Sequence, residues 1–108
     1  MTTIEQRCGD LVRPVLELMG AAVSAGFDAS AAQPALRAVQ RLRDILAEGT
    51  DGIASAAYLQ WHATADDMLA SVARELENGD VPAARAILSD PRLGLQQLSI
   101  ACAGMPGW

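Results

Sequence analysis

Lysine is missing altogether from these 108 residues, so all eight cationic side chains are arginine, set against thirteen Asp and Glu for a formal net charge of -5. Proteins that grip phosphate backbones do so with clustered Lys and Arg whose binding releases counterions, and this balance opposes that encounter. Nucleic acid is therefore not an expected partner. Histidine occurs once, at His62, and cysteine twice, at Cys8 and Cys102. A structural zinc needs four Cys or His ligands and a di-iron bundle needs Glu-x-x-His on two helices, so neither can be built and no cofactor is expected. The two cysteines stand near opposite ends of the chain, which is neither a metal spacing nor a dense disulfide framework. The default expectation is a reduced pair in a cytoplasmic protein; a bond becomes open to them only if the first and last helices pack antiparallel.

Aromatic residues are equally scarce, being Phe27, Tyr58, Trp61 and Trp108 alone. The core must be thin and aliphatic, with helices packed closely. Runs of β-branched residues are absent, and no segment alternates as a half-buried strand would. The longest stretches without a formal charge, Leu93 to Trp108 and Gly52 to Ala65, are shorter than the roughly 20 apolar residues of a membrane-spanning helix. The N-terminus Met-Thr-Thr-Ile-Glu-Gln-Arg lacks the basic start and apolar stretch of a signal peptide. Membrane insertion is not expected.

What is present is helix-forming. Alanine, which loses no side-chain entropy in a helix, is joined by Leu, Arg, Gln, Glu and Met. Thr3 and Gln6 read as a capping box opening the first helix, whose Leu11, Val15, Leu18, Met19, Ala22 and Val23 recur at three- and four-residue steps as one core stripe. Pro14 predicts a kink or a restart at Asp10, and Gly26 a left-handed stop. After a turn with Asp28 and Ser30 as caps, a second helix is expected from about Pro34 to Glu48, burying Leu36, Val39, Leu42, Ile45 and Leu46. No Gly or Pro interrupts residues 53 to 78, which predicts the longest helix of the chain, carrying Ala54, Tyr58, Trp61, Ala65, Met68, Leu69, Val72 and Leu76 on one face. Asn78-Gly79-Asp80 is a stop followed at once by a start, giving a tight αα-hairpin into a short helix at 81 to 88. Ser89-Asp90-Pro91 repeats that punctuation and predicts a fifth helix from Pro91 to about Ala103. The fold class is thus all-α: one domain over residues 1–108, a compact bundle of four to five helices organised around the long one at about 53–78.

Chemistry is harder to find. His62, with Asp66 one turn on and Tyr58 and Trp61 beside it, could line a small-molecule pocket or orient a general base. Arg37 and Arg41, with Arg43 nearby, could hold a carboxylate or phosphate, although Asp44 and Glu48 sit at pairing distance and favour a solvated face. Cys8 as a nucleophile would need a neighbouring base, and Arg7 alone does not provide one. The apolar C-terminal segment, with Leu95, Leu98, Met105 and Trp108, is the expected contact surface, although Leu95, Leu98 and Cys102 are also candidates to face the core and docking on its own domain is the favoured expectation for Trp108. The reading that follows is a non-catalytic protein-binding module, of adaptor, chaperone-like or immunity type, that recognises a protein partner or a second copy of itself as a homodimer. The alternative is a small-molecule-binding bundle or small enzyme with its pocket near Tyr58, Trp61, His62 and Asp66.

Overall fold

Thr3 and Gln6 satisfy each other at the start of the first helix: the Gln6 N–H donates to the Thr3 hydroxyl and the Thr3 N–H to the Gln6 side-chain carbonyl. This is the expected capping box. The computed structural model describes all 108 residues. It has five α-helices, α1 (Ile4–Ala25), α2 (Ala32–Leu46), α3 (Ala56–Glu77), α4 (Val81–Leu88) and α5 (Leu95–Ala101), with one 3₁₀ turn at Ala29–Ala31 and no strand. The fold is an all-α bundle. No helix is long and apolar enough to cross a membrane.

α1 runs unbroken through Pro14, where a kink or a restart was expected. Proline withholds an N–H only from the carbonyl four residues back, here that of Asp10, which lies at the surface, while Pro14 itself is buried among the residues of the core stripe. Tertiary packing of an apolar face outweighs one missing backbone bond. Gly26 caps α1 in the right-handed region, at φ -67, so the left-handed stop does not form. The chain instead leaves through turns in which Gly26, Phe27 and Asp28 donate to the carbonyls of Val23 and Ser24. Asp28 caps the 3₁₀ turn by accepting from the Ser30 N–H and hydroxyl, and α2 follows directly with Pro34 in its first turn.

Ser55 sets the start of α3, its hydroxyl accepting from the Tyr58 N–H, so the helix begins three residues after Ile53 and matches α1 at 22 residues rather than exceeding it. It packs against α2, α4 and α5, and α1 packs against α2 and α4. Of the residues expected on its inner face, Tyr58, Trp61, Ala65, Met68, Leu69, Val72 and Leu76 are buried, whereas Ala54 precedes the helix and is exposed. At its end Gly79 adopts the left-handed φ of +77, a conformation that costs a residue without Cβ little, and Asp80 accepts from the Ala83 N–H to start α4.

The last helix is the clearest departure. Asp90 accepts from the N–H groups of Arg92 and Leu93 as a cap would, yet residues 91–93 make only a turn, and α5 starts after Gly94. Gly94 is pressed onto the end of α4, where a Cβ would stand 2.3 Å from the Leu88 carbonyl oxygen, and its own carbonyl accepts from the Trp61 indole N–H at 3.1 Å. The close approach needs glycine and breaks the helix at that point.

Cys8 and Cys102, both fully buried, are joined by a disulfide with their Cα atoms 5.8 Å apart. The reduced pair expected by default is therefore corrected: α5 and the tail fold back on the start of α1. Disulfides persist in oxidising surroundings, so the support that free thiols lent to a cytoplasmic location is removed. Beyond the bond, the Trp108 indole N–H donates to the Cys8 carbonyl at 2.9 Å, and Trp108 and Met105 pack against the core. The bridge spans 94 residues, and closing so long a loop removes about 4–5 kcal/mol of chain entropy from the unfolded state. Replacing both cysteines with alanine should lower the unfolding free energy by about 3–5 kcal/mol in urea titration; a loss below about 1 kcal/mol would show that the bridge does not constrain the unfolded chain.

Candidate functional site

Arg7 is the one charged side chain wholly inside the protein, at 0% exposure. It lies one turn before Leu11 on the inner face of α1, and its Nη1 donates to the Tyr58 hydroxyl at 2.8 Å while Nη2 donates to the Gly49 carbonyl at 2.7 Å. Its Nε finds no partner, and no carboxylate pairs with it, both ion pairs of the structure lying at the surface. The Tyr58 hydroxyl is in turn 3.0 Å from His62 Nδ1, one helical turn further along α3. A guanidinium can only donate, so Arg7 takes one acceptor position of the Tyr58 oxygen and leaves the phenolic proton available to Nδ1, a bond that suits a neutral His62 carrying its proton on Nε2. Burial first, and the Arg7 charge second, push the imidazole below its ordinary pKa. Burial likewise raises that of Tyr58, partly offset by Arg7. The sequence marked Tyr58 and His62 but not Arg7, although its spacing of four, seven and eleven residues from Leu11, Pro14 and Leu18 continues the inner face of α1.

The other candidates are dispersed. Trp61 is buried, its indole bonded to Gly94, and only its edge reaches a shallow groove of about 360 Å³ that it shares with Gln60, Thr64, Arg92, Leu93 and Gln97. Tyr58, His62 and Asp66 do not line that groove. Asp66 faces α2, where Arg43 grips it through Nε at 2.9 Å and Nη2 at 3.3 Å and holds its carboxyl below the usual range. Arg41 pairs with Glu17 of α1 rather than with Asp44 or Glu48, and Asp44 accepts from Gln40 instead. Thus Arg41 and Arg43 clamp α2 to its neighbours, and Arg37, exposed, does not join them in an anion site. At the C-terminus Leu95 and Leu98 are buried, and Met105 and Trp108 are half-buried against the protein's own core. The segment expected to offer the contact surface is engaged internally.

A surface of another kind stands on α1. Its apolar residues form two stripes: Cys8, Leu11, Val15, Leu18, Ala22 and Ala25 face inward, whereas Leu16, Met19 and Val23, continued by Phe27 in the following turn, are 61, 51, 50 and 91% exposed. Met19 and Val23, expected in the core stripe, belong to this second one. The tail ends the free part of the stripe at its lower edge, since Gly107 lies against Val12. Beside it Met19 and Val23 border a groove of about 410 Å³ whose far wall is Leu88, Leu95, Gln96 and Ser99. Two adjoining stripes one residue out of step were the available signal, and a single amphipathic reading merges them.

Fold and surface together define a disulfide-closed five-helix bundle with an apolar face left uncovered on its first helix. Family models, curated proteins and solved structures, each compared with the chain, yield no match.

The polar chain through Arg7 makes two predictions. Tyr58→Phe leaves a buried guanidinium nitrogen without its acceptor and should cost about 1–3 kcal/mol of stability, read by chemical denaturation. Because the folded state favours neutral His62, the native pKa lies below the unfolded value of about 6.5. That contribution is complete above 6.5 and is lost as pH falls through the folded value. Stability measured from pH 7.5 to 5 should therefore decline more steeply in the native chain than in His62→Gln, and parallel profiles would contradict the arrangement.

Proposed function

We propose that this protein is a non-catalytic protein-binding module whose contact surface is the outer face of α1. The observation that carries the reading is the second apolar stripe, Leu16, Met19, Val23 and Phe27, each at least half exposed. The largest apolar patch of a monomeric protein is typically about 300–600 Å² and is often functional, and this one runs from Leu16 to Val23 along α1 and on to Phe27 in the following turn, continued at its side by the groove between α1 and α5. Binding here needs no rearrangement of the core, because a separate stripe of the same helix holds α1 in place. An aromatic such as Phe27, large and almost wholly exposed, is the kind of side chain that dominates the energetics of an interface once it is covered. Adaptor, chaperone-like and immunity-type roles all use such a face.

The tagged chain, passed through lysate of its native host, should retain a stoichiometric protein, whether another copy of itself or a different one. A Val23→Asp, Phe27→Ser chain with an unchanged circular dichroism spectrum should retain none. Equal retention by the two would remove this reading.

A further inference from the structure

The stripe on α1 has a centre that nothing within the protein explains. Gly20 is exposed, stands in mid-helix among Leu16, Met19 and Val23, and a Cβ built on it meets no atom within 4 Å. Glycine weakens a helix interior relative to alanine, and the protein's own packing does not require it there. An absent side chain in the middle of an apolar stripe is what lets a second helix approach the backbone closely.

The charges around Gly20 say which helix. Arg13 stands seven residues before it and Asp28 eight residues after it, both exposed, and neither forms an ion pair within the protein. If a second α1 crosses antiparallel with Gly20 over its counterpart, Leu16 of one copy lies near Val23 of the other. Arg13 then lies by the C-terminal end of the other copy's α1, on the side of the turn that carries Phe27 and Asp28, and the same contacts recur on the far side of the axis. A parallel crossing would instead set Arg13 against Arg13 and Asp28 against Asp28. The antiparallel pairing also aligns the two helix dipoles favourably. The four exposed side chains supply on the order of 500 Å² of apolar surface per copy, more than half of the roughly 800 Å² that each partner buries in an interface of standard size.

We infer that the outer face of α1 is the interface of a two-fold symmetric homodimer, in which α1 packs antiparallel on α1 of a second copy with Gly20 at the crossing point and Arg13 paired with Asp28 across it. This rests on the reading of that face as a protein-binding surface and names its occupant. Residue i of one copy meets residue j of the other and the reverse, as a closed two-fold interface requires.

The test is analytical ultracentrifugation of the full, oxidised chain from about 1 μM to 1 mM, with Gly20→Ala alongside. Gly20→Ala has opposite expected effects on the monomer and the dimer. At concentrations below the dissociation constant it should raise the thermal midpoint by a few degrees, because the isolated helix gains alanine at an open position. It should nonetheless weaken dimerisation roughly tenfold, because the new methyl occupies the crossing point. Arg13→Asp and Asp28→Arg should each weaken the dimer, and the chain carrying both should regain it, since the pair is reversed on both sides of the axis. A dimer indifferent to Gly20→Ala, or a doubly reversed chain no better than Asp28→Arg alone, would overturn this geometry. A chain that stays monomeric at 1 mM would overturn the assignment of a second copy. In that case, retention of a different protein through Val23 and Phe27 would leave the protein-binding reading standing, and retention of none would remove both.

Discussion

Two adjacent residues, Arg7 and Cys8, hold this bundle together at the place where all its distant segments meet. Through Cys8 the first helix is bonded to Cys102 at the end of α5 and accepts the indole proton of Trp108. Through Arg7 it reaches the Gly49 carbonyl after α2 and the Tyr58 hydroxyl near the start of α3. A core this poor in aromatics and rich in alanine contributes little transfer free energy per residue, so a covalent bridge closing a loop of nearly the whole chain is a large share of what keeps the termini in place. The buried guanidinium is the opposite kind of contribution. With one nitrogen unpartnered and no carboxylate beside it, removing a partner would be more costly than the intact network is stabilising. Such a network favours one arrangement of α1, α3 and the intervening loop over alternatives that would leave the charge unsatisfied.

That constraint bears on function through α1. A helix fixed by a buried stripe, a disulfide and an internal arginine can carry a second, solvent-facing apolar stripe without any need to turn it inward. The remaining helices have less of this freedom, since α3 is enclosed by three neighbours and α5 is a short element that buries Leu95 and Leu98 and leaves only Ile100 outside. The surface ion pairs point the same way: Arg41 with Glu17 and Arg43 with Asp66 link neighbouring helices rather than presenting charge to an anion. What α1 offers outward is apolar area.

The caps were readable in advance because they are local. Thr3 with Gln6, Asp28 with Ser30, Asp80 after Gly79, and the apolar face of α3 all depend on side chains within a turn of the groups they satisfy. Pro14, Gly26 and the start signal at Asp90-Pro91 behave otherwise for the converse reason. Each carries a local propensity that the surrounding packing overrides, Pro14 by burial in the core and Asp90-Pro91 by the close approach of Gly94 to Leu88 and its hydrogen bond from Trp61. The candidate site was less legible still. Tyr58 and His62 do meet, but the buried arginine that donates to Tyr58 lies 51 positions away from it, and the two stripes on α1 merge in sequence into what reads as one broad core face.

Composition and spacing by themselves determined that the chain is all-α, where most helices start and stop, which face of α3 is buried, and that the net charge is negative. Those properties follow from intrinsic propensity, capping chemistry and net charge, none of which needs a distant contact. Only the tertiary structure decided that Cys8 and Cys102 are bonded, that Arg7 is buried against Tyr58, that Trp108 is folded back, and that Met19 and Val23 face outward. Each of those depends on which surfaces the other helices cover, and a periodicity of 3.6 residues states that a helix has an apolar side without stating how much of it its neighbours will reach.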